Sequence, residues 1–453
     1  MNKNEMLQDN INTCSSPKDL KITDVRFAKI TGAPMDCIMV KVFTNSSLVG
    51  FGEVRDWSSA TYAKMLKSRI IGENPCNIDK IFRLIKPFGG HSRMGGGVSG
   101  IELALWDLAG KAYGVPVYQM LGGSFRDKIR VYSDTDCEGK DGMMMGKALK
   151  KRKEMGFTFL KMDLGIDQLL DEPGALSSPI GFVDELIKAN NSPMYPNKGI
   201  RTKSYNESLE VINIAHPFTA THITEKGFDI LENYLREARS QVGYEIPLAI
   251  DHIGHIDVTD CIKFANMIEK YNIAWLEDAL PWQYTDQYVR LANSTRVPLA
   301  TGEDIYLKEN FEPLLNSGSL SVIHPDILTT GGILETKKIG DMAQDKGVAM
   351  AIHMAETPIA CMAAAHIAKA TENFLALEFH SVDIPWWDSL VNYSDGRKHA
   401  IENGFISNLE SPGLGIDSLN DEVIKEHMHP DEKGIWQPTD KWDVEWSHDR
   451  LWS

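Results

Sequence analysis

Three short apolar runs end in a carboxylate at a fixed interval: Leu248-Ala-Ile-Asp251, Ile273-Ala-Trp-Leu-Glu277 and Leu299-Ala-Thr-Gly-Glu303, with 26 residues from each acid to the next. Three acids gathered in one site raise one another's pKa unless a cation neutralises them. Their donors are all hard oxygens with no thiolate among them, which suits Mg2+ better than Zn2+. A single acid at a strand end could equally cap the next helix; it is the equal spacing of three that favours a shared ion.

Further apolar runs end at Asp326 (Val322-Ile-His-Pro-Asp326), His353 (Ala349-Met-Ala-Ile-His353) and Glu378 (Phe374-Leu-Ala-Leu-Glu378), at spacings of 23, 27 and 25 residues. Histidine titrates near neutrality, so His353 is the best candidate acid or base. Asp326, one unit earlier, could fix its tautomer and raise its basicity. A histidine alone at a strand end is more often plain structure, and the aspartate is what points to chemistry.

The interval itself is about one strand, one helix and two short loops. Runs that are apolar throughout fit parallel strands buried on both faces. A closed (β/α)8 barrel, the modified TIM-barrel class, brings the C-terminal ends of its strands to one mouth. The first barrel strand is predicted at Ile129-Arg-Val-Tyr-Ser133 and the second at Phe157-Thr-Phe-Leu-Lys-Met-Asp163. Lys161 and Asp163, two apart, share a face of that strand, so if Asp163 faces the mouth Lys161 does too. From Asp163 to Asp251 is 88 residues, far more than one unit needs, and the excess is polar and rich in turn residues. Residues 165 to about 222 are therefore expected to be an insertion at the mouth, followed by a helix over Glu225 to Val242.

Upstream, residues 21–30 and 37–44 alternate like paired strands around Thr31-Gly-Ala-Pro-Met-Asp36, and Gly50-Phe-Gly-Glu-Val54 adds a third. Ser99-Gly-Ile-Glu102 has the form of a capping box opening a helix over Ile101 to Tyr113, stopped by Gly114-Val-Pro116. The expected division is a polar tail (1–20), an α+β capping domain (21–125), the barrel with its insertion (126–400) and a C-terminal segment (401–453). The last carries Trp436, Trp442, Trp446 and Trp452 and is expected to pack on the capping domain or on a neighbouring subunit.

A formal net charge of −16 argues against nucleic acid or an anionic membrane as partner, and an acidic substrate would need local positive charge. No apolar run reaches the ~20 residues needed to span a bilayer. Met1 to Leu20 lacks the apolar core of a signal peptide, so a cytoplasmic protein is expected. Six scattered cysteines without a Cys-x-x-Cys pair indicate neither a disulfide framework nor a zinc ribbon.

Trp275-Leu-Glu-Asp278, Thr301-Gly-Glu303, and Pro325-Asp326 followed by Gly331-Gly332, set in a chain that matches over about residues 20–420, resemble the enolase superfamily. Within it they resemble the mandelate racemase and muconate lactonising enzyme group. The resemblance implies one Mg2+ per subunit on Asp251, Glu277 and Glu303. It implies Lys161 neutralising the substrate carboxylate or the developing oxyanion, and a His353–Asp326 acid–base dyad. It also implies Glu378 as an acid that can hydrogen-bond an enediolate, although Glu378 could instead be a buried or helix-capping acid. A small-molecule carboxylate substrate, loops of the capping domain over its distal end and a homo-oligomer (dimer or octamer) are implied too. Those loops would be 31–36 and 53–59, where Arg55 and Trp57 could grip a hydroxyl-rich tail or be ordinary surface.

Racemases of the group carry a second lysine where this chain has Asp163. Racemisation needs competent groups on both faces, whereas β-elimination can begin with one base and one acid on the leaving hydroxyl. Asp163 is expected to stay ionised and to be a poor base, although it could bind a substrate hydroxyl. The leading expectation is thus a dehydratase of an aldonate or aldarate giving a 2-keto-3-deoxy acid, with a racemase, epimerase or cycloisomerase as the alternative. In Asp251-His-Ile-Gly-His255, His252 should point away from the mouth, and His255 could swing in from the loop or be structural.

Overall fold

The computed structural model describes residues 17–137, 141–179, 181, 220–251 and 256–444. Two compact units make up the chain: residues 1–132, 302–312 and 323–453 form the first, and 133–301 with 313–322 the second. The candidate insertion between 182 and 219, His252, His255, Trp446, Trp452 and Cys14 lie outside the described residues.

The first unit opens with an antiparallel sheet of β1 (Ile22–Ile30), β2 (Cys37–Thr44) and β3 (Val49–Val54), in that order. Helix α1 (Gly96–Tyr113) lies against β3 at very short range: a Cβ on Gly52 would sit 2.0 Å from the Gly100 carbonyl oxygen. Glycine is required there because two backbones meet. Gly114 ends the helix in the left-handed conformation, at φ 72°.

The predicted capping box is not one. The helix begins at Gly96 rather than Ile101, and both residues of the box serve a different helix. The Ser99 hydroxyl donates to the Gly95 carbonyl and accepts from the Gly331 N–H. The Glu102 carboxylate accepts from the N–H groups of Ile333 and Leu334 and from Trp106 Nε1. It thereby satisfies orphan donors at the start of the helix Ile333–Gln344. Gly332 has φ 107°, and a Cβ there would fall 2.1 Å from that carboxylate.

Eight short strands follow: β4 (Lys128–Asp134), β5 (Leu160–Asp163), β6 (Leu248–Asp251), β7 (Leu276–Glu277), β8 (Leu299–Thr301), β9 (Val322–Ile323), β10 (Ala349–Ile352) and β11 (Phe374–Phe379). They pair in that sequence and β11 pairs back to β4, so the sheet is a closed parallel barrel. Strands β4 and β9 each have residues in both units. Among the connecting helices, α2 (Glu225–Val242) spans the residues predicted for it, with the Thr224 hydroxyl accepting from the Gly227 N–H as its cap. Just before it, Leu176–Ser177 pairs antiparallel with His222–Ile223 and ties off the base of the candidate insertion.

The C-terminal segment runs beside β1. The His427 carbonyl accepts from Thr31 N–H, the Lys29 carbonyl from His429 N–H and the Phe27 carbonyl from Trp436 N–H. Lys41 stands 4.0 Å above the Trp436 ring. Cys37, Cys76, Cys137, Cys261 and Cys361 are thiols. Among the described residues no helix is long and apolar enough to cross a membrane.

Candidate active site

In the second unit, β5, β6 and β7 lie side by side in register, with Asp163 opposite Asp251 and Asp251 opposite Glu277. Lys161 Nζ is buried and donates to Asp251 Oδ2 at 3.2 Å and to Glu277 Oε1 at 3.1 Å. The other Glu277 oxygen accepts from Trp275 Nε1 at 2.8 Å, and Phe159 stacks on that indole with ring centroids 4.7 Å apart. Glu277 is thus fixed by a cation on one oxygen and a neutral donor on the other. Asp278, next in sequence, turns through a left-handed φ of 40°, and its carboxylate takes the Thr301 hydroxyl at 2.5 Å.

Asp163 was expected to stay ionised. Burial and then the carboxylates of Asp134 and Asp251 push its pKa well above the ordinary value, against the pull of Lys161. The shift favours its neutral form, because several acids share the space with one lysine.

In the first unit, Glu303 after β8, Asp326 after β9, His353 after β10 and Glu378 near the end of β11 converge. Asp326 follows β9 and caps a one-turn helix, Oδ1 accepting from Leu328 N–H and Thr329 N–H. Its Oδ2 is 2.6 Å from His353 Nδ1 and 3.0 Å from Arg55 Nη1. Two backbone N–H groups and Arg55 donate to its two oxygens and favour the carboxylate form, which suits Nδ1 as the ring nitrogen that carries the proton. The other ring nitrogen, Nε2, stands 3.2 Å from Glu303 Oε2 and 4.0 Å from Glu378 Oε2. Burial, and then the Arg55 charge, hold His353 well below 6.5; burial pushes Asp326 up to about 7 against the pull of Arg55.

Arg55 is not the surface arm the sequence allowed. It is fully buried just past β3, with Nη1 2.5 Å from Asp56, 2.8 Å from Glu356 and 3.0 Å from Asp326, and Nη2 3.6 Å from Glu303. Asp56 in turn reaches Arg93, which is 3.6 Å from Asp304. Trp57 is half-buried, and its Nε1 contacts Met35 Sδ rather than reaching outward. The charged triplet Glu53-Val-Arg55-Asp56 at the end of an apolar strand was the available signal. No pattern in sequence marks Glu356.

Glu378 is fully buried between imidazoles: His380 Nε2 is 3.2 Å from Oε1, and His324 Nε2 is 3.4 Å from Oε2. His324 is itself tied to the Tyr132 hydroxyl at 2.6 Å. Neither Tyr132, inside β4, nor His324, just past β9, stood out in the sequence, since neither falls at the regular interval of the acids.

A closed (β/α)8 barrel with acids, a lysine and an imidazole at its strand ends defines an enzyme that works on small molecules at the barrel mouth. Residues 12–122 match the N-terminal domain of mandelate racemase and muconate lactonizing enzyme, and residues 199–422 match the enolase C-terminal domain-like family. The D-xylonate dehydratase of Haloferax volcanii is 30% identical over 420 residues, which are 91% of this chain and 90% of that one. The D-galactonate dehydratase of Pectobacterium atrosepticum is 27% identical over 445 residues, 94% of this chain and 100% of that one. A mandelate racemase/muconate lactonizing enzyme-like protein from Rubrobacter xylanophilus superposes with a TM-score of 0.73 at 27% identity, over 90% of this chain and 98% of that one. An enolase superfamily member from Salmonella Typhimurium does so at 0.72 and 28%, over the same shares. The chain belongs to the enolase superfamily, in its mandelate racemase and muconate lactonizing enzyme group.

Proposed function

We propose that this enzyme is a sugar-acid dehydratase, which removes water from an aldonate or aldarate and yields a 2-keto-3-deoxy acid. The relatives named as D-xylonate and D-galactonate dehydratases support the reaction class. The observation that carries the reading is the inequality of the two candidate groups. His353 is oriented by Asp326 at 2.6 Å, which suits Nε2 as its free basic nitrogen, while Asp163 is a half-buried carboxyl whose pKa burial and the neighbouring Asp134 and Asp251 raise. One base and one acid suit elimination; racemisation requires two groups that each take and return a proton.

We assign Asp251, Glu277 and Glu303 to one Mg2+ per subunit. The donor set fits: all are carboxylates, Asp251 and Glu277 are aligned on neighbouring strands, and Glu303 follows β8 by two residues. Lys161 now neutralises two of them, as charges gathered for a cation require. Bound there, Mg2+ would neutralise the substrate carboxylate and stabilise charge developing beside it.

The chain's own residues would do the rest. His353 Nε2 takes the proton α to the carboxylate, and Asp326 stabilises the imidazolium through Nδ1. Lys161 holds the substrate carboxylate, and Glu378 hydrogen-bonds the enediolate. Asp163 supplies the proton with which the β-hydroxyl leaves as water, and the resulting enol becomes the keto acid. The test is keto-acid formation by the purified protein across hexonates, pentonates and aldarates, with Mg2+ and with chelator. Deuterium entering the α-carbon of an epimer or lactone, with no keto acid formed, would overturn dehydration in favour of an isomerase.

A further inference from the structure

We infer that His353, Glu378 and His380 form a second cation site, adjoining the acids assigned to Mg2+ through Glu303, whose Oε2 is 3.2 Å from His353 Nε2, and that it takes a nitrogen-preferring divalent ion of the Zn2+, Co2+ or Ni2+ kind. One donor atom from each of the three lies within 4.8 Å of the other two. His380 Nε2 is 3.2 Å from Glu378 Oε1, and His353 Nε2 is 4.0 Å from Glu378 Oε2. The two rings are 5.8 Å apart at 58°, so both nitrogens can address one point without stacking. An ion ~2.1 Å from each donor needs them roughly 3 to 3.5 Å apart, a distance the pair at Glu378 already has and the other approaches.

The set is two imidazoles and a carboxylate, ligands that favour transition ions over Mg2+. His353 is also dressed as metal-binding histidines are. Its other nitrogen donates to a carboxylate, Asp326, which is held in place by Arg55 and by two backbone N–H groups. His324, equally near Glu378, is excluded because the Tyr132 hydroxyl occupies the nitrogen that faces it. Burial keeps the site selective: Glu378 is fully buried and His353 is 5% exposed. An ion here would take the Nε2 lone pair proposed above for proton abstraction, so such ions should inhibit while Mg2+ activates. Binding itself does not depend on the dehydratase reading.

The experiment is a titration of the full-length protein, saturated with Mg2+, with Co2+. One further equivalent is expected, with the intense visible absorption of a nitrogen-ligated, low-coordinate ion. His380→Gln and His353→Asn should each abolish that absorption while far-UV circular dichroism is retained, and Asp251→Asn should leave it in place. Where a substrate is known, His380→Gln should also weaken Zn2+ inhibition on the order of 10- to 100-fold or more. A weak octahedral spectrum that excess Mg2+ displaces, or an intense one that survives both histidine substitutions, would overturn the site. The first outcome would leave His380 and Glu378 as a simple ion pair.

Discussion

Arg55 donates to the same oxygen of Asp326, Oδ2, that accepts the His353 ring N–H, at 3.0 Å and 2.6 Å respectively. A single guanidinium from beyond β3 thereby helps set the tautomer of the candidate base. It also compensates Asp56 and Glu356, both buried with it. Removing one partner of a buried charged cluster typically costs about 3–5 kcal/mol, because the remaining charges stay desolvated. Arg55→Met should lower the unfolding free energy by that order in chemical denaturation, and adding Glu356→Gln should recover part of the loss. Additive losses in the double variant would show that the two side chains do not share one network.

His353 predicts the acid limb of the pH profile. Burial, then Arg55, depress its pKa, so the neutral base persists below the ordinary 6.5 and is lost only as pH falls further. With Mg2+ saturating, kcat/KM on a substrate found by the panel should be flat through neutrality, with an acid limb centred below 6.5. His353→Asn should reduce keto-acid formation by about 10²–10⁴-fold. A limb centred at or above 6.5 in the unaltered enzyme would mean that Arg55 does not act on the ring as described.

Much of this arrangement was legible before any coordinates. The barrel could be read because each parallel strand is a short apolar run and the acids fall at regular intervals. Helix Glu225–Val242 could be placed because a βα unit requires a helix before its next strand. Arg55 could not, because a charge after an apolar strand looks the same whether it meets water or a buried carboxylate. The Ser99–Glu102 motif misled for a related reason: a capping pattern specifies donors and acceptors but not which helix they serve. The upward pKa shift of Asp163 had no sequence signal, because Asp134 and Asp136, from a neighbouring strand and its loop, are distant in sequence and close in space.

Lys161 and Mg2+ should compete for the same acids. Lys161 Nζ is shared between Asp251 and Glu277, so it opposes an incoming cation as well as the acids' mutual repulsion. Lys161→Met should bind Mg2+ at least as tightly as the unaltered protein in calorimetry, yet lose keto-acid formation by about 10²-fold or more. Asp251→Asn and Glu277→Gln should weaken the ion instead. In the unaltered protein, Mg2+ at 100 times its Kd should add about 2.7 kcal/mol to the unfolding free energy, and chelator should withdraw it. An unchanged melting temperature across that range would remove the three acids as its ligands.

Asp163 carries the distinction between elimination and racemisation, and its pH linkage can be tested without a substrate. Its folded pKa is raised by burial, then by Asp134 and Asp251, above the 3.8 of a solvated aspartate. A raised carboxyl contributes stability that is fully present below the unfolded pKa and is lost as pH rises through the folded one. Asp163→Asn, neutral at every pH, should therefore match the unaltered protein near pH 3.8, where both remain folded, and become progressively more stable than it as pH rises. Mg2+ should shrink the difference, since it offsets the charge of Asp251. The same substitution removes the proton proposed for the departing hydroxyl, so kcat should fall by about 10²–10⁴-fold with KM less affected. A variant that is no more stable at alkaline pH and that retains full turnover would place Asp163 outside the reaction and return the second base to open question.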